Sequence, residues 1–140
     1  MNNLDKVLYT AQTHITGGRD GAARSSDGRL HVSLNHFSSA REGTNPEQLL
    51  AAGWGACYLS ALGLVGRHSG VALSPEAAVD VEIDLGVHGE ADYRLQARFN
   101  VALPGIDRAV ARQMAATAHT MCPYSKALHG NIDVATTVSS

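Results

Sequence analysis

The sequence predicts an α+β fold in which antiparallel sheets pack on two central helices. Short segments with alternating apolar and polar residues are separated by turn-forming residues, which is typical of half-buried strands. Two longer segments carry the start and stop signals of helices. The order along the 140 residues is βββ-α-ββ-α-β. Because this length suits one hydrophobic core, we assign residues 1–140 to a single domain.

The N-terminal region predicts three strands and a loop. Apolar and polar residues alternate over residues 7–15, and a glycine-rich segment ends this strand. Residues 22–26 and 29–34 form a hairpin in this prediction, because Asp27-Gly28 between them suits a type I′ turn. Residues 35–44 are polar and irregular, which predicts a loop.

The first helix is predicted to begin near Pro46 and to end near Ser69. Proline fits the first helical position, and Glu47 meets the positive end of the helix dipole. Gly70 is expected to end this helix. No charged residue occurs from Gln48 to Gly66, which is close to the roughly 20 residues that span a bilayer. Four glycines in this stretch and the lack of aromatic or basic belts favour a buried core or interface helix, so no membrane is expected.

The C-terminal half predicts two paired strands, a second helix and a last strand. Asp107 can cap the second helix, and Pro123 disfavours helix at Cys122, so this helix is expected to end near Met121. The predicted strands are Val79–Val87, Tyr93–Leu103 and Ile132–Val138.

Composition argues against several partners and compartments. A formal net charge of -2 gives no electrostatic reason to expect nucleic acid. The N-terminus lacks the basic and apolar pattern of a signal peptide. With two cysteines and no secretory signal, we expect a reducing cytoplasm and no standing structural disulfide.

Cys57 lies in the middle of the first predicted helix, where a small buried core residue and a reactive thiol are both possible. Burial raises the pKa of a thiol, and the helix dipole acts only at the first turn, so a reactive Cys57 needs a cation from elsewhere. Arg19, in the glycine-rich segment, is the best candidate. Arg24, Arg29 and Arg41 remain possible.

Glu47 and Cys122 each allow two interpretations. Glu47 is a helix N-terminal acid or a partner that orients an arginine, and about 15 Å of helix separates it from Cys57. It could act through that arginine within its own chain or from a second subunit. Cys122, at the end of the second helix, is an inert thiol or a resolving thiol that attacks an oxidised Cys57. His119 lies three residues before Cys122, but two ligands do not make a zinc site, so no metal is expected.

Three segments of the sequence carry a pattern typical of one family: Gly43 to Cys57, Ala118 to Ser125 and Gly130 to Val134. They strongly resemble the organic hydroperoxide resistance protein family, a branch of the osmotically inducible protein C superfamily. The resemblance also extends to the N-terminal region, and it spans nearly the whole chain.

The resemblance implies a thiol peroxidase that reduces organic and fatty-acid hydroperoxides. By position, Cys57 would be the peroxidatic cysteine and Cys122 the resolving cysteine, joined by a disulfide on oxidation. Arg19 would activate the Cys57 thiolate and Glu47 would pair with that arginine. The resemblance also implies an intertwined homodimer, no bound metal or flavin, and reduction by dihydrolipoamide, commonly on a lipoylated protein.

Two other functions fit the residues. A cysteine hydrolase or acyl transferase would use Cys57 with a histidine base, for which His119 is the only candidate. A small dimeric domain that binds hydroperoxides or lipids would keep both cysteines as inert core residues.

Overall fold

The computed structural model describes residues 3–140. The chain divides into two compact units, Met1–Pro46 and Glu47–Ser140. The assignment of residues 1–140 to one domain stays a prediction.

The first unit contains a small antiparallel sheet of three strands in the order β1-β2-β3. The strands are β1 (Thr13–Thr16), β2 (Ala22–Ser25) and β3 (His31–Ser33). A Cβ atom at Gly21 would lie 1.8 Å from the Thr16 carbonyl oxygen, so the turn between β1 and β2 requires glycine there. Only the end of the predicted first strand is in the sheet. The residues before it leave large apolar side chains exposed, including Leu8 at 87%.

The hairpin between β2 and β3 forms as predicted, but the type I′ turn is wrong. That turn needs positive φ at both central residues, and no described residue other than glycine has positive φ. Instead, the Asp27 carboxylate accepts hydrogen bonds from the Ser25 hydroxyl and the Arg29 N–H. Gly28, at φ 73°, donates its N–H to the Ser25 carbonyl. The aspartate thus stabilises the loop through its side chain, without a left-handed backbone of its own.

The second unit combines a three-stranded sheet with three helices, and it confirms the predicted boundaries closely. Gly70, at φ 69°, follows the first helix, and Asp107 caps the second by accepting from two backbone N–H groups. The elements are α1 (Pro46–Ser69), β4 (Ala78–His88), β5 (Asp92–Ala102), α2 (Arg108–Met121), α3 (Pro123–Leu128) and β6 (Asp133–Ser139).

Two features of this unit differ from the antiparallel prediction. β6 pairs with β5 in the parallel direction, whereas β4 pairs with β5 antiparallel. A parallel pair needs a long crossover connection, and α2 and α3 provide it. The short helix α3 was not predicted. The α+β class and the order of the predicted elements are confirmed.

The core of this unit lies between α1 and the sheet. Trp54, Tyr58 and Leu62 share one side of α1 and are fully buried. The Trp54 and Tyr58 rings meet the ring of Phe99 on β5 edge to face, with centroids 4.8 and 5.0 Å apart. Among the described helices, α1 alone is long and apolar enough to span a membrane by length and composition. Its bulky side is buried on the sheet, as in a core helix.

Candidate active site

The structure brings Cys57 and Cys122 together. Sixty-five positions apart in sequence, their thiols form a hydrogen bond. Cys57 lies in the middle of α1 and is partly exposed, whereas Cys122 is fully buried. Both cysteines are free. One accessible thiol is therefore backed by a second thiol in direct contact.

The junction between α2 and α3 places Cys122. Its N–H closes the last turn of α2 on the Ala118 carbonyl at 2.9 Å. Its backbone is extended, at φ -69° and ψ 121°, because Pro123 follows it. Its carbonyl then accepts from the Lys126 N–H at 2.9 Å in the first turn of α3. Cys122 is thus the single extended residue between two helices.

The surroundings of Cys57 raise the pKa of its thiol. Burial is the largest cause, and the hydrogen bond with Cys122 acts in the same direction. The backbone N–H of Tyr124 hydrogen-bonds to Cys57 and lowers the pKa, but it does not reverse the shift. These contacts oppose ionisation of Cys57, so a thiolate needs a further source of positive charge.

The Tyr124 side chain lies on the exposed side of this region. A Cβ atom at Gly53, one turn before Cys57, would lie 3.0 Å from the Tyr124 hydroxyl oxygen. The Tyr124 side chain is 42% exposed. The glycine therefore lets the ring approach α1 closely, one helical turn before Cys57.

A chain of hydrogen bonds runs through the core beside the two cysteines. The Trp54 indole N–H donates to the Ser125 hydroxyl at 2.9 Å. The same hydroxyl lies 2.8 Å from Nδ1 of His119, and Nε2 of His119 lies 3.0 Å from the Thr136 hydroxyl. Ser125 is fully buried, and His119 is 8% exposed. We call Trp54, Ser125, His119 and Thr136 the core polar chain.

The core polar chain contains a neutral histidine. Burial lowers the pKa of His119 to about 4, and His129 acts in the same direction. An indole N–H can only donate, so Ser125 accepts from Trp54 and its single hydrogen is available to Nδ1 of His119. The bonds are then consistent with a proton on Nε2, which donates to Thr136.

The position of His119 does not support the hydrolase alternative. Both of its ring nitrogens are occupied by hydroxyl groups. The hydrogen bonds that act on the Cys57 pKa come from Cys122 and Tyr124. A histidine base for Cys57 needs a nitrogen that faces the sulfur, and this histidine faces Ser125 and Thr136 instead.

Arg19 and Glu47 occupy different parts of the chain. Arg19 follows β1 in the first unit, where it is partly buried. Glu47 lies in the first turn of α1. Because α1 runs without a break from Pro46 to Ser69, Glu47 stands about 15 Å before Cys57 along the same helix. The activating role of Arg19 and the pairing role of Glu47 stay predictions.

The contacts that Tyr124 and Ser125 make were not predicted from the sequence. A signal for Ser125 was present, because a buried tryptophan N–H needs an acceptor. The Tyr124 N–H had no such signal, since it depends on α3. Among residues 3–140, no three side chains of the metal-binding types come together.

Comparison with known proteins identifies the family. The sequence model of the OsmC-like protein family matches residues 38–137. The chain belongs to the OsmC-like family. The organic hydroperoxide resistance protein of Xanthomonas axonopodis pv. citri (strain 306) is 39% identical over 143 residues, with 99% of this chain and 100% of that protein covered.

Solved structures of OsmC-like proteins share the fold. The organic hydroperoxide resistance protein OsmC from Legionella pneumophila superposes with a TM-score of 0.89 at 34% identity, covering 96% of this chain and 100% of the other. The organic hydroperoxide resistance protein OhrB of Bacillus subtilis gives a TM-score of 0.89 at 32% identity, covering 95% and 100%. The resemblance to the organic hydroperoxide resistance branch is confirmed.

Proposed function

We propose that this OsmC-like protein is a thiol-dependent peroxidase that reduces organic hydroperoxides, including those of fatty acids, to alcohols. Relatives named for organic hydroperoxide resistance support a role as an oxidoreductase that detoxifies peroxides. The observation that carries the cysteine mechanism is the hydrogen bond between the thiols of Cys57 and Cys122. A partly exposed thiol can meet a substrate, and a buried neighbour can capture its oxidised form.

The first step oxidises Cys57. Its thiolate attacks the distal oxygen of ROOH, the O–O bond breaks, and the leaving alkoxide takes a proton to become ROH. Cys57 is now a sulfenic acid. The Cys122 sulfur then attacks the Cys57 sulfur, an S–S bond forms, and the hydroxyl group leaves as water with the Cys122 proton. The peroxide has gained two electrons, and the two thiols have lost them.

A dithiol closes the cycle. We propose dihydrolipoamide, free or on a lipoylated protein, as the reductant. One of its thiolates attacks the Cys57–Cys122 disulfide, and its second thiol releases lipoamide and restores both cysteines. The electrons pass from the dithiol to the two cysteines and from the cysteines to the peroxide, so the proposed cycle uses no bound cofactor.

Arg19 and Glu47 complete the proposed chemistry. Arg19 would stabilise the Cys57 thiolate, which the burial of Cys57 opposes. It would also stabilise the charge on the departing oxygen. Glu47 would orient Arg19 by a paired hydrogen bond, within its own chain or from a second subunit.

We also propose an intertwined homodimer in the cytoplasm. The apolar side chains of Leu4, Val7, Leu8 and Tyr9 are each more than 60% exposed. Such a run of exposed apolar residues is unfavourable in water and favours burial in a subunit interface. The alternation that predicted a strand over residues 7–15 is consistent with a strand that pairs with a partner.

The test is a count of free thiols around one turnover. One equivalent of an organic hydroperoxide should remove two thiols per chain, and dihydrolipoamide should restore both. Cys122→Ser should still lose the Cys57 thiol once but overoxidise readily. Cys57→Ser should not react. An unchanged thiol count in the natural protein, or full peroxidase activity in Cys57→Ser, would contradict the proposal.

A further inference from the structure

The core polar chain connects α1, which carries Cys57, to α3, which begins directly after Cys122. Trp54 lies three residues before Cys57 on α1, and Ser125 lies three residues after Cys122. The Trp54–Ser125 hydrogen bond therefore joins α1 to α3 close to the contact between the two thiols. Through His119 and Thr136, it extends to α2 and β6.

Three members of this chain, Trp54, Ser125 and His119, are buried in the core. Trp54 and Ser125 are fully buried, and the Trp54 ring packs on Phe99. The indole N–H and the Ser125 hydroxyl have no access to water that could replace their bond. Such buried polar groups keep their partners, so the bond fixes the position of the segment that begins at Cys122.

We propose that Ser125 is a positioning residue for disulfide formation, acting with Trp54 and His119. Its hydroxyl holds Cys122 and the Tyr124 N–H against α1, so that the sulfenic acid on Cys57 meets the Cys122 sulfur without a rearrangement of the backbone. This proposal rests on the proposed function and adds a determinant of its second step. In this role the three side chains act through the segment that they hold in place, not on the reacting sulfurs.

The expected effect follows from the geometry of the reaction. Two sulfurs in contact must approach to about 2.05 Å to form the bond. A reaction between groups that the fold holds in place loses up to about 100-fold when one of them shifts by 1 Å. Ser125→Ala removes the acceptor of a buried indole, and the segment that carries Cys122 loses its attachment to α1.

The test measures how the sulfenic acid divides between two fates. Either Cys122 captures it, or a second hydroperoxide oxidises it to the sulfinic acid. With dihydrolipoamide present, mass spectrometry gives the sulfinic fraction of Cys57 per turnover over a range of hydroperoxide concentrations. This fraction does not depend on the rate of the first oxidation. We expect Ser125→Ala to raise the sulfinic fraction about tenfold. This is less than the loss of up to about 100-fold that a shift of 1 Å can cause.

Two further variants separate positioning from stability. Trp54→Phe keeps an aromatic ring but removes the donor of the same bond, so it should raise the sulfinic fraction similarly. The double variant should not exceed the larger single effect, because both changes break one interaction. Tyr58→Phe is the matched control. It removes another buried hydrogen bond of α1, from the Tyr58 hydroxyl to the Ala115 carbonyl at 2.8 Å, and should leave the fraction unchanged.

The outcomes distinguish the two proposals. If the natural protein forms no disulfide with hydroperoxide, the proposed function fails. If it forms the disulfide but Ser125→Ala and Trp54→Phe overoxidise no more than Tyr58→Phe, the positioning role of Ser125 is overturned and the peroxidase stands.

Discussion

His119 should make the stability of this protein depend on pH in a predictable direction. Its pKa falls from 6.5 to about 4 in the folded state, chiefly through burial. Between these values the unfolded chain binds a proton that the folded chain does not. Acid therefore favours unfolding, and stability should rise from about pH 4 to about pH 6.5 and then level off. The stability from a neutral His119 is thus present above its unfolded pKa and lost below it.

The magnitude follows from the two pKa values. Relative to pH 7, this one histidine should lower the free energy of unfolding by about 2 kcal/mol at pH 5. That corresponds to a fall of about 1 M in the urea midpoint for a protein of this size. Trp54 is the only tryptophan and is fully buried, so its fluorescence reports the transition directly.

Comparison of variants isolates this contribution from those of the carboxylates. His119→Asn should be less stable at pH 7, because it disturbs one buried and one partly buried hydrogen bond. Between pH 7 and pH 5, its free energy of unfolding should fall by about 2 kcal/mol less than that of the natural protein. His88→Asn, at an exposed position next to the β4–β5 turn, should keep the natural dependence of the free energy of unfolding on pH. Equal slopes in the natural protein and His119→Asn, at one protein concentration, would refute the reasoning.

Three further predictions concern stability and thiol reactivity. Asp107→Ala should lower the free energy of unfolding by about 1 kcal/mol in urea, because α2 loses the acceptor for two backbone N–H groups; no change would mean that the cap is not needed. Gly66→Ala should lower the melting temperature of the protein, since the new Cβ would lie 2.6 Å from the Val71 carbonyl oxygen. A Cβ at Gly63 would meet nothing closer than 3.8 Å, so Gly63→Ala should stabilise α1 by up to about 1 kcal/mol. Thermal melting compares the two variants, and a higher melting temperature for Gly66→Ala than for Gly63→Ala would contradict the packing. Cys122→Ala should move the alkylation profile of Cys57 to lower pH, because it removes a hydrogen bond that raises the pKa of that thiol. Alkylation rates measured against pH check this, and a shift to higher pH would contradict it.

Local signals determined most of the fold, and pairing direction was the exception. Pro46, Asp107 and Pro123 act on their own neighbours, so helix boundaries could be predicted from the sequence. The direction of β6 could not, because alternation of apolar residues is the same in parallel and antiparallel strands. It depends instead on how far α2 and α3 carry the chain before it returns to β5. The prediction of a type I′ turn at Asp27 was wrong for a related reason. The hydrogen bonds of the Asp27 side chain compete with the backbone geometry that Asp-Gly usually favours.

The candidate site could likewise be predicted only in part. Sequence position distinguished the mid-helix Cys57 from the helix-end Cys122, and the resemblance paired them. Their contact, however, depends on residues 65 positions apart that only packing brings together. The role of Ser125 was hidden for the same reason. Its partners, Trp54 and His119, come from α1 and α2, and no short motif relates the three.

The contact between the two thiols has opposite consequences for the two proposed steps. It places a resolving sulfur beside Cys57, which shortens the second step. The same contact raises the pKa of Cys57, which opposes the thiolate that the first step needs. Cys57 lies too far along α1 for the helix dipole to offset this. A fold that keeps both sulfurs in contact therefore needs a cation from outside α1, and that is the role we assign to Arg19.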